Sequence, residues 1–326
     1  MRASVIIPTL NAEAYLPELF VQLRNQTKPP HEIVIVDSQS TDMTASLAAD
    51  CGARVIQIAR EQFDHGGTRN LAAKHATGDV LVFMTQDAQP MNDRFVEELL
   101  KPLNDSQVAA VYGRQEARTD ANALERMTRE INYPQQAMFK SMKDLPERGI
   151  KLFFFSNVCS AIRSDLFQQV GGFPETTIMN EDMLFAAKCI LEGLTIVYNP
   201  KAEVLHSHNY TLRKQFQRNF DIGVFLRMND WILQYATAEK EGIKLIRQQL
   251  GMLIHDGYGY LIPRWFAEAG AKYVGYRMGL AYRLIPLWLR KKLSMHSFYW
   301  DGKRHQLGAP VLQTNVASDS SNSNVI

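Results

Sequence analysis

Cysteine is scarce in this chain: Cys51, Cys159 and Cys189 stand far apart, and no two form a C-x-x-C pair. That argues against a disulfide framework and a zinc site, and it suits a reducing compartment. Long apolar runs are missing too, since no stretch approaches the roughly 20 residues that span a bilayer. The opening MRASVIIPTLN carries too short an apolar run for a signal peptide and reads as a strand, so the expected location is cytoplasmic. Net charge is only +2, which excludes a molecule that binds nucleic acid by its overall field. No G-x-G-x-x-G follows the first strand-like run, which lowers a dinucleotide-binding reading. Internal repeats are absent. What remains is 326 residues, 46% hydrophobic and 21% charged, enough for a sizeable globular core.

Three short β-branched or aromatic runs, Ala3–Ile7, Glu32–Val36 and Asp79–Met84, predict buried strands. Helical patterns separate them: Ala14–Leu23 after a capping Asn11, Thr44–Ala49 after Ser40-Thr41-Asp42, and Arg69–Ala73 after Thr68. Strands alternating with helices imply βαβ units and a mostly parallel α/β sheet, whose ligands bind beyond the carboxyl ends of the strands. Asp37 and Asp87 then face one crevice. Residues 119 to 150 read as a helical excursion over that face, and Leu152–Phe155 as a further strand. The chain turns helical after His208. Between Arg264 and Arg304, Lys and Arg outnumber Asp and Glu nine to two, with aromatics interleaved. That composition suits the surface of an anionic bilayer or a helical appendage packed on the rest. Residues 309 to 326, rich in Ser and Asn, have little to bury and are expected to be disordered.

Val5-Ile6-Ile7-Pro8-Thr9-Leu10-Asn11, followed by Glu32–Val36 and Asp37-Ser38-Gln39-Ser40-Thr41-Asp42, resembles the nucleotide-sugar half of family 2 glycosyltransferases. The resemblance implies a GT-A fold over residues 1–210, with a nucleotide-sugar half to about 118 and an acceptor half from 119. A helical extension (211–308) would follow. It also implies that Pro8, Thr9, Asn11, Asp37 and Ser38 surround the donor nucleotide. Thr85-Gln86-Asp87-Ala88 stands where that family carries D-x-D, leaving Asp87 to hold Mg²⁺ or Mn²⁺ with donor phosphates, beside Gln86. Asn180-Glu181-Asp182 resembles the family's E-D motif. Asp182 is then the base that takes the acceptor proton, supported by Glu181. His206 and His208, two apart on a strand, would project to one side, as metal or diphosphate contacts or as structural histidines. Gln215–Gly223 resembles a Q-x-x-R-W motif and would set Arg218 over the leaving diphosphate.

Phe63-Asp64-His65-Gly66-Gly67-Thr68-Arg69-Asn70, with Thr85–Ala88 and Leu293–Trp300, is similar to the bacterial rhamnosyltransferase branch. That likeness implies dTDP-β-L-rhamnose as donor and a lipid-linked or polysaccharide acceptor in cell-surface glycan synthesis. Gly66-Gly67 would give clearance for the donor, Arg69 a planar fork for base or phosphate, and Asp64 and His65 bonds to sugar hydroxyls. A UDP-hexose donor and a non-catalytic sugar-nucleotide binder stay open as alternatives.

Overall fold

The computed structural model describes residues 1–235 and 238–301, without the side chains of 238–241. The tail expected to be disordered, 309–326, lies outside the described residues. Nine strands form one sheet: β1 (Ala3–Thr9), β2 (Glu32–Asp37), β3 (Arg54–Gln57), β4 (Val80–Met84), β5 (Gln89–Pro90), β6 (Val108–Glu116), β7 (Met138–Lys140), β8 (Cys159–Arg163) and β9 (Thr195–Leu205). Their order is β3-β2-β1-β4-β8-β6-β9-β5, with β7 paired to β9. The helices are α1 (Leu16–Arg24), α2 (Thr44–Asp50), α3 (His65–His75), α4 (Phe95–Leu100), α5 (Ala123–Asn132) and α6 (Leu145–Arg148). There follow α7 (Ser164–Val170), α8 (Glu181–Leu191), α9 (Leu212–Met228), α10 (Ala238–His255), α11 (Ile262–Leu280) and α12 (Leu287–Leu293).

From β3 to β4 all pairings are parallel, as the alternating pattern predicts. Beyond β4 the sheet is mixed: β8 runs antiparallel to β4 and β6, while β6 and β9 are parallel. The reversal of β8 has a consequence for the site. β1, β2, β4, β6 and β9 all end, and β8 begins, on one side of the sheet. Side chains alternate between two cores: Val5, Ile7, Val80 and Val82 face one layer, Ile6, Val34, Leu81 and Phe83 the other. Each such buried residue contributes about 1.5–3 kcal/mol by leaving water.

The differences from expectation have local causes. Leu152–Phe155 is no strand; Gly149–Phe153 forms a 3₁₀ turn whose Leu152 and Phe153 are buried, and a short apolar run does not separate the two cases. β3 went unforeseen because its four residues lie at the sheet edge without a buried run. Asn11 does not cap α1, which begins after Tyr15 without a side-chain cap. Its φ is 49°, and its side chain accepts from Thr41 N at 2.9 Å. α3 starts earlier than Thr68 implies, because Asp64 is its cap.

The extension is seated by glycine. A Cβ on Gly275 would lie 2.4 Å from Phe216 O, and one on Gly279 2.1 Å from Phe220 O, so α11 meets α9 backbone to backbone. The other side of α11 is open, with Phe266 62% and Tyr273 59% exposed.

Candidate active site

Asp87 sits in the turn after β4, and His206 and His208 follow the end of β9, not within a strand as expected. The rings still converge: both Nε2 atoms lie 3.5 Å from Asp87 Oδ2. The three ligand atoms all fall within 4.8 Å of one another. His206 Nδ1 is 2.9 Å from Gln115 Oε1, which also accepts from Arg129 Nη1 at 2.5 Å, while Gln115 Nε2 donates to Ser156 at 2.9 Å. An amide oxygen only accepts, so His206 carries its proton on Nδ1 and turns an Nε2 lone pair toward Asp87. Burial pushes His206 down to about 3 and lowers His208 as well, which keeps both rings neutral. A neutral imidazole pair beside a carboxylate, with one tautomer fixed from behind, fits a divalent cation.

Glu181 and Asp182 open α8 behind Asn180, a left-handed residue with φ 59°. One asparagine holds both acids. Asn157 N donates to Asp182 Oδ2 at 3.0 Å, and its side-chain amide donates to Glu181 Oε1 at 3.2 Å. Met183 N donates to Asp182 Oδ1 at 2.8 Å. Burial pushes both carboxyls up, but the Arg69 guanidinium, 3.1 Å from Glu181, brings Glu181 below its usual range. Asp182 has burial and the charge of Glu181 acting together, and it is pushed up to about 7. Two neighbouring acids driven apart in this way can divide the work of anchor and proton acceptor. Ser156 and Asn157 also join the two clusters, since Ser156 receives Gln115 and Val158 O receives Thr85 N at 3.3 Å.

At the ends of β1 and β2, Asp37 accepts from Thr9 Oγ1 at 3.2 Å and from Ser40 N at 3.0 Å. Ser38 keeps a buried hydroxyl without a partner. Gln86 clamps Leu10, accepting from its N at 2.8 Å and donating to its O at 3.1 Å. Pro8, Thr9, Asn11, Asp37, Ser38 and Gln86 therefore share one end of the crevice.

The segment Asp64–Asn70 needs correction. Both carboxylate oxygens of Asp64 are engaged within the chain: Oδ1 accepts from Gly66 N (3.1 Å) and Gly67 N (2.7 Å), and Oδ2 from Thr176 N (3.2 Å). Clearance at Gly66 belongs to the chain itself, because a Cβ there would sit 2.1 Å from Pro174 O; at Gly67 the nearest neighbour is Asp64. Arg69 is no open fork, being buried between His65 O (2.9 Å) and Glu181. His65 is neutral, lowered by burial, with Nε2 unpartnered.

Arg218 lies on α9 with its guanidinium 6.0 Å over Tyr210, whose ring stacks on His208 at 5.3 Å. Its charge acts on His65, His208 and Asp221. Beside the metal-type cluster opens a recess of about 670 Å³ lined by Arg114, Glu116, Arg118, Arg126, Glu130 and Tyr133. Gln115, Ser156 and Asn157 are site residues that the sequence pattern missed. None sits in a motif, and only their positions at the end of β6 and just before β8 would have pointed to them.

A family model described as Glycosyl transferase family 2 matches residues 4–171. The chain belongs to that family. It is 41% identical over 301 residues to the O-antigen chain rhamnosyltransferase WbaN of Salmonella anatum, covering 91% of this chain and 95% of the relative. To RfbN of Salmonella typhimurium, also an O-antigen chain rhamnosyltransferase, it is 38% identical over 304 residues (92% and 96%). Among solved structures, a mannosyltransferase from Pyrobaculum calidifontis in complex with GDP-Man and Mn²⁺ matches with TM-score 0.56 at 19% identity, over 93% of this chain and 87% of that one. Staphylococcus aureus TarS 1-349 with UDP gives 0.52 at 20%, over 87% and 92%. The fold is therefore GT-A, and this chain is a glycosyltransferase.

Proposed function

We propose that this enzyme transfers L-rhamnose from dTDP-β-L-rhamnose, with inversion, to a hydroxyl of a glycan or lipid-linked acceptor in O-antigen assembly. The sugar is supported by the similarity to WbaN and RfbN over nearly their whole length. The observation that carries the mechanism is Asp182, a half-buried carboxyl poised at about 7 beside an ionised Glu181. The acceptor oxygen bonds to the anomeric carbon from the face opposite the diphosphate, the carbon–phosphate oxygen bond breaks, and Asp182 takes the hydroxyl proton. Glu181 stays charged against Arg69 and Asn157, and so fixes the helix end that presents Asp182. Arg218 makes no ion pair among the described residues and is free to meet the leaving diphosphate. Asp87, His206 and His208 would hold the divalent ion, and their two imidazoles favour Mn²⁺ over Mg²⁺. Bound there, that ion neutralises charge developing on the diphosphate. The acceptor enters by the recess beside Arg118.

Turnover across a donor panel tests the reading. dTDP-rhamnose should exceed UDP-hexoses by at least tenfold, with Mn²⁺ the better ion; preference for a UDP-sugar would sink the rhamnosyl assignment.

The outer face of the extension meets an anionic bilayer at the cytoplasmic surface. No described helix is long and apolar enough to cross a membrane. Leu284 (89%) and Trp288 (61%) stand exposed near Arg283, Lys291 and Lys292. Aromatic and apolar tips among cations suit the headgroup layer. Leu284→Ser with Trp288→Ser should reduce co-sedimentation with anionic vesicles while turnover of a soluble acceptor is kept. Unchanged sedimentation would refute the contact.

A further inference from the structure

The chain comes back to its active face after α12. Asp221, fully buried on α9, accepts from Met295 N at 2.8 Å and His296 N at 3.2 Å. Those two bonds pin the segment after Leu293, and the rings beyond them land on the turn that starts α3. His296 meets His65 edge-on, with centroids 4.9 Å apart and planes at 88°. Phe298 meets Phe63 at 5.9 Å. His65 in turn gives its carbonyl to Arg69, which holds Glu181. Arg218 precedes Asp221 by three residues, one turn of the same helix, and its charge acts on His296 as well as on His65 and His208. His296 is therefore linked through His65 to the Arg69–Glu181 pair, and through Asp221 to the helix that carries Arg218 one turn away.

Among the described residues nothing uses the His296 ring nitrogens: its hydrogen bonds run through its backbone N–H, and its ring makes only aromatic contacts. Burial holds the imidazole neutral, so one nitrogen donates and the other accepts. Phe298 is 43% exposed beside it, an apolar surface suited to the C–H face of a pyranose.

We propose that His296 is a donor-sugar-binding residue, delivered by the C-terminal segment, bonding a hydroxyl of the pyranose whose diphosphate faces Arg218. Asp221 is the positioning residue that sets it. The inference rests on the glycosyl-transfer reading of the crevice, not on which sugar is carried.

Full-length His296→Ala and His296→Gln test it, with binding of the bare nucleoside diphosphate and of the intact nucleotide sugar measured separately in Mn²⁺. The donor KM should rise about 5–10-fold in His296→Ala, the loss of one neutral hydrogen bond, and recover partly in His296→Gln. Affinity for the bare diphosphate and the acceptor KM should stay unchanged. Asp221→Asn should shift the donor KM in the same direction, and add nothing in the His296→Ala background. An unchanged donor KM overturns the proposal, and so does a parallel loss of affinity for bare diphosphate and nucleotide sugar. If the wild type prefers a UDP-hexose, the rhamnosyl reading falls, while the contrast between sugar-bearing and bare nucleotide still decides the role of His296.

Discussion

Two pairs of histidines meet edge-on in this crevice with nearly the same geometry. His206 and His208 have centroids 4.8 Å apart at 85°, His65 and His296 4.9 Å at 88°. Burial keeps His206 and His296 alike near 3. The pairs differ only in their neighbours. Asp87 lies 3.5 Å from both members of the first, and Gln115 fixes one tautomer. Among the described residues the second has no carboxylate at ion-pair distance, since Glu181 and Asp64 act on His65 from farther off and Glu181 is paired with Arg69, and it is bordered by Phe63, Phe298 and Arg69. An imidazole pair with an acid between suits a cation; the same pair without one suits hydroxyls. Side-chain identity does not assign the chemistry. The surroundings do.

Substitutions ranked by effect can break that contrast. Asp87→Ala should reduce turnover on the order of 10³-fold, since a bound metal supplies several kcal/mol of charge stabilisation, and added Mn²⁺ should not restore it. A Mn²⁺ titration against turnover measures this; an intact metal response would merge the two pairs into one structural class. Asp182→Asn comes next, at about 10²–10⁴-fold in kcat with little change in donor KM.

The pH profile separates the histidines from the acid. Asp182 is raised to about 7, so below that pH it is protonated and cannot accept the acceptor's proton. kcat/KM should fall about tenfold per pH unit on the acid side of 7. A flat profile from pH 5 to 8 would remove Asp182 from the reaction.

Gln115→Leu should lower metal affinity by about 10–100-fold, the usual effect of losing a ligand's orienting partner, while leaving binding of the metal-free nucleotide unchanged. The smallest effect should be on stability. Gly279→Val pushes a side chain into Phe220 O and should cost about 1–3 kcal/mol, read as a lower Tm.

The first histidine pair was legible in the sequence and the second was not. His206 and His208 are two residues apart in the chain, so the sequence shows them as one group even though both lie just past the end of β9. His65 and His296 meet only because Asp221 folds the C-terminal segment back, and no local pattern carries such a contact. The parallel half of the sheet, the Glu181-Asp182 pair and the crevice residues Asp37 and Asp87 were likewise readable from short runs. Asp64, Gly66 and Arg69 stand out in the sequence as an unusual density of polar groups and glycines. Their partners were not foreseeable, because Pro174, Thr176 and Glu181 arrive from the far side of β8. Gln115 and Asn157 lie in no motif, and their importance depends on which strand ends the fold gathers.

The glycine seam between α9 and α11 has a mechanical side. Side-chain layers between helices yield by rotamer changes, so a small displacement of one helix is lost before it reaches the next. Here the backbones touch at Phe216, Phe220 and Tyr276, with no such cushion. α9 carries Arg218 and Asp221 between those contacts. Whatever position the outer helices take is thus handed on, almost undamped, to Arg218 and, through Asp221, to His296.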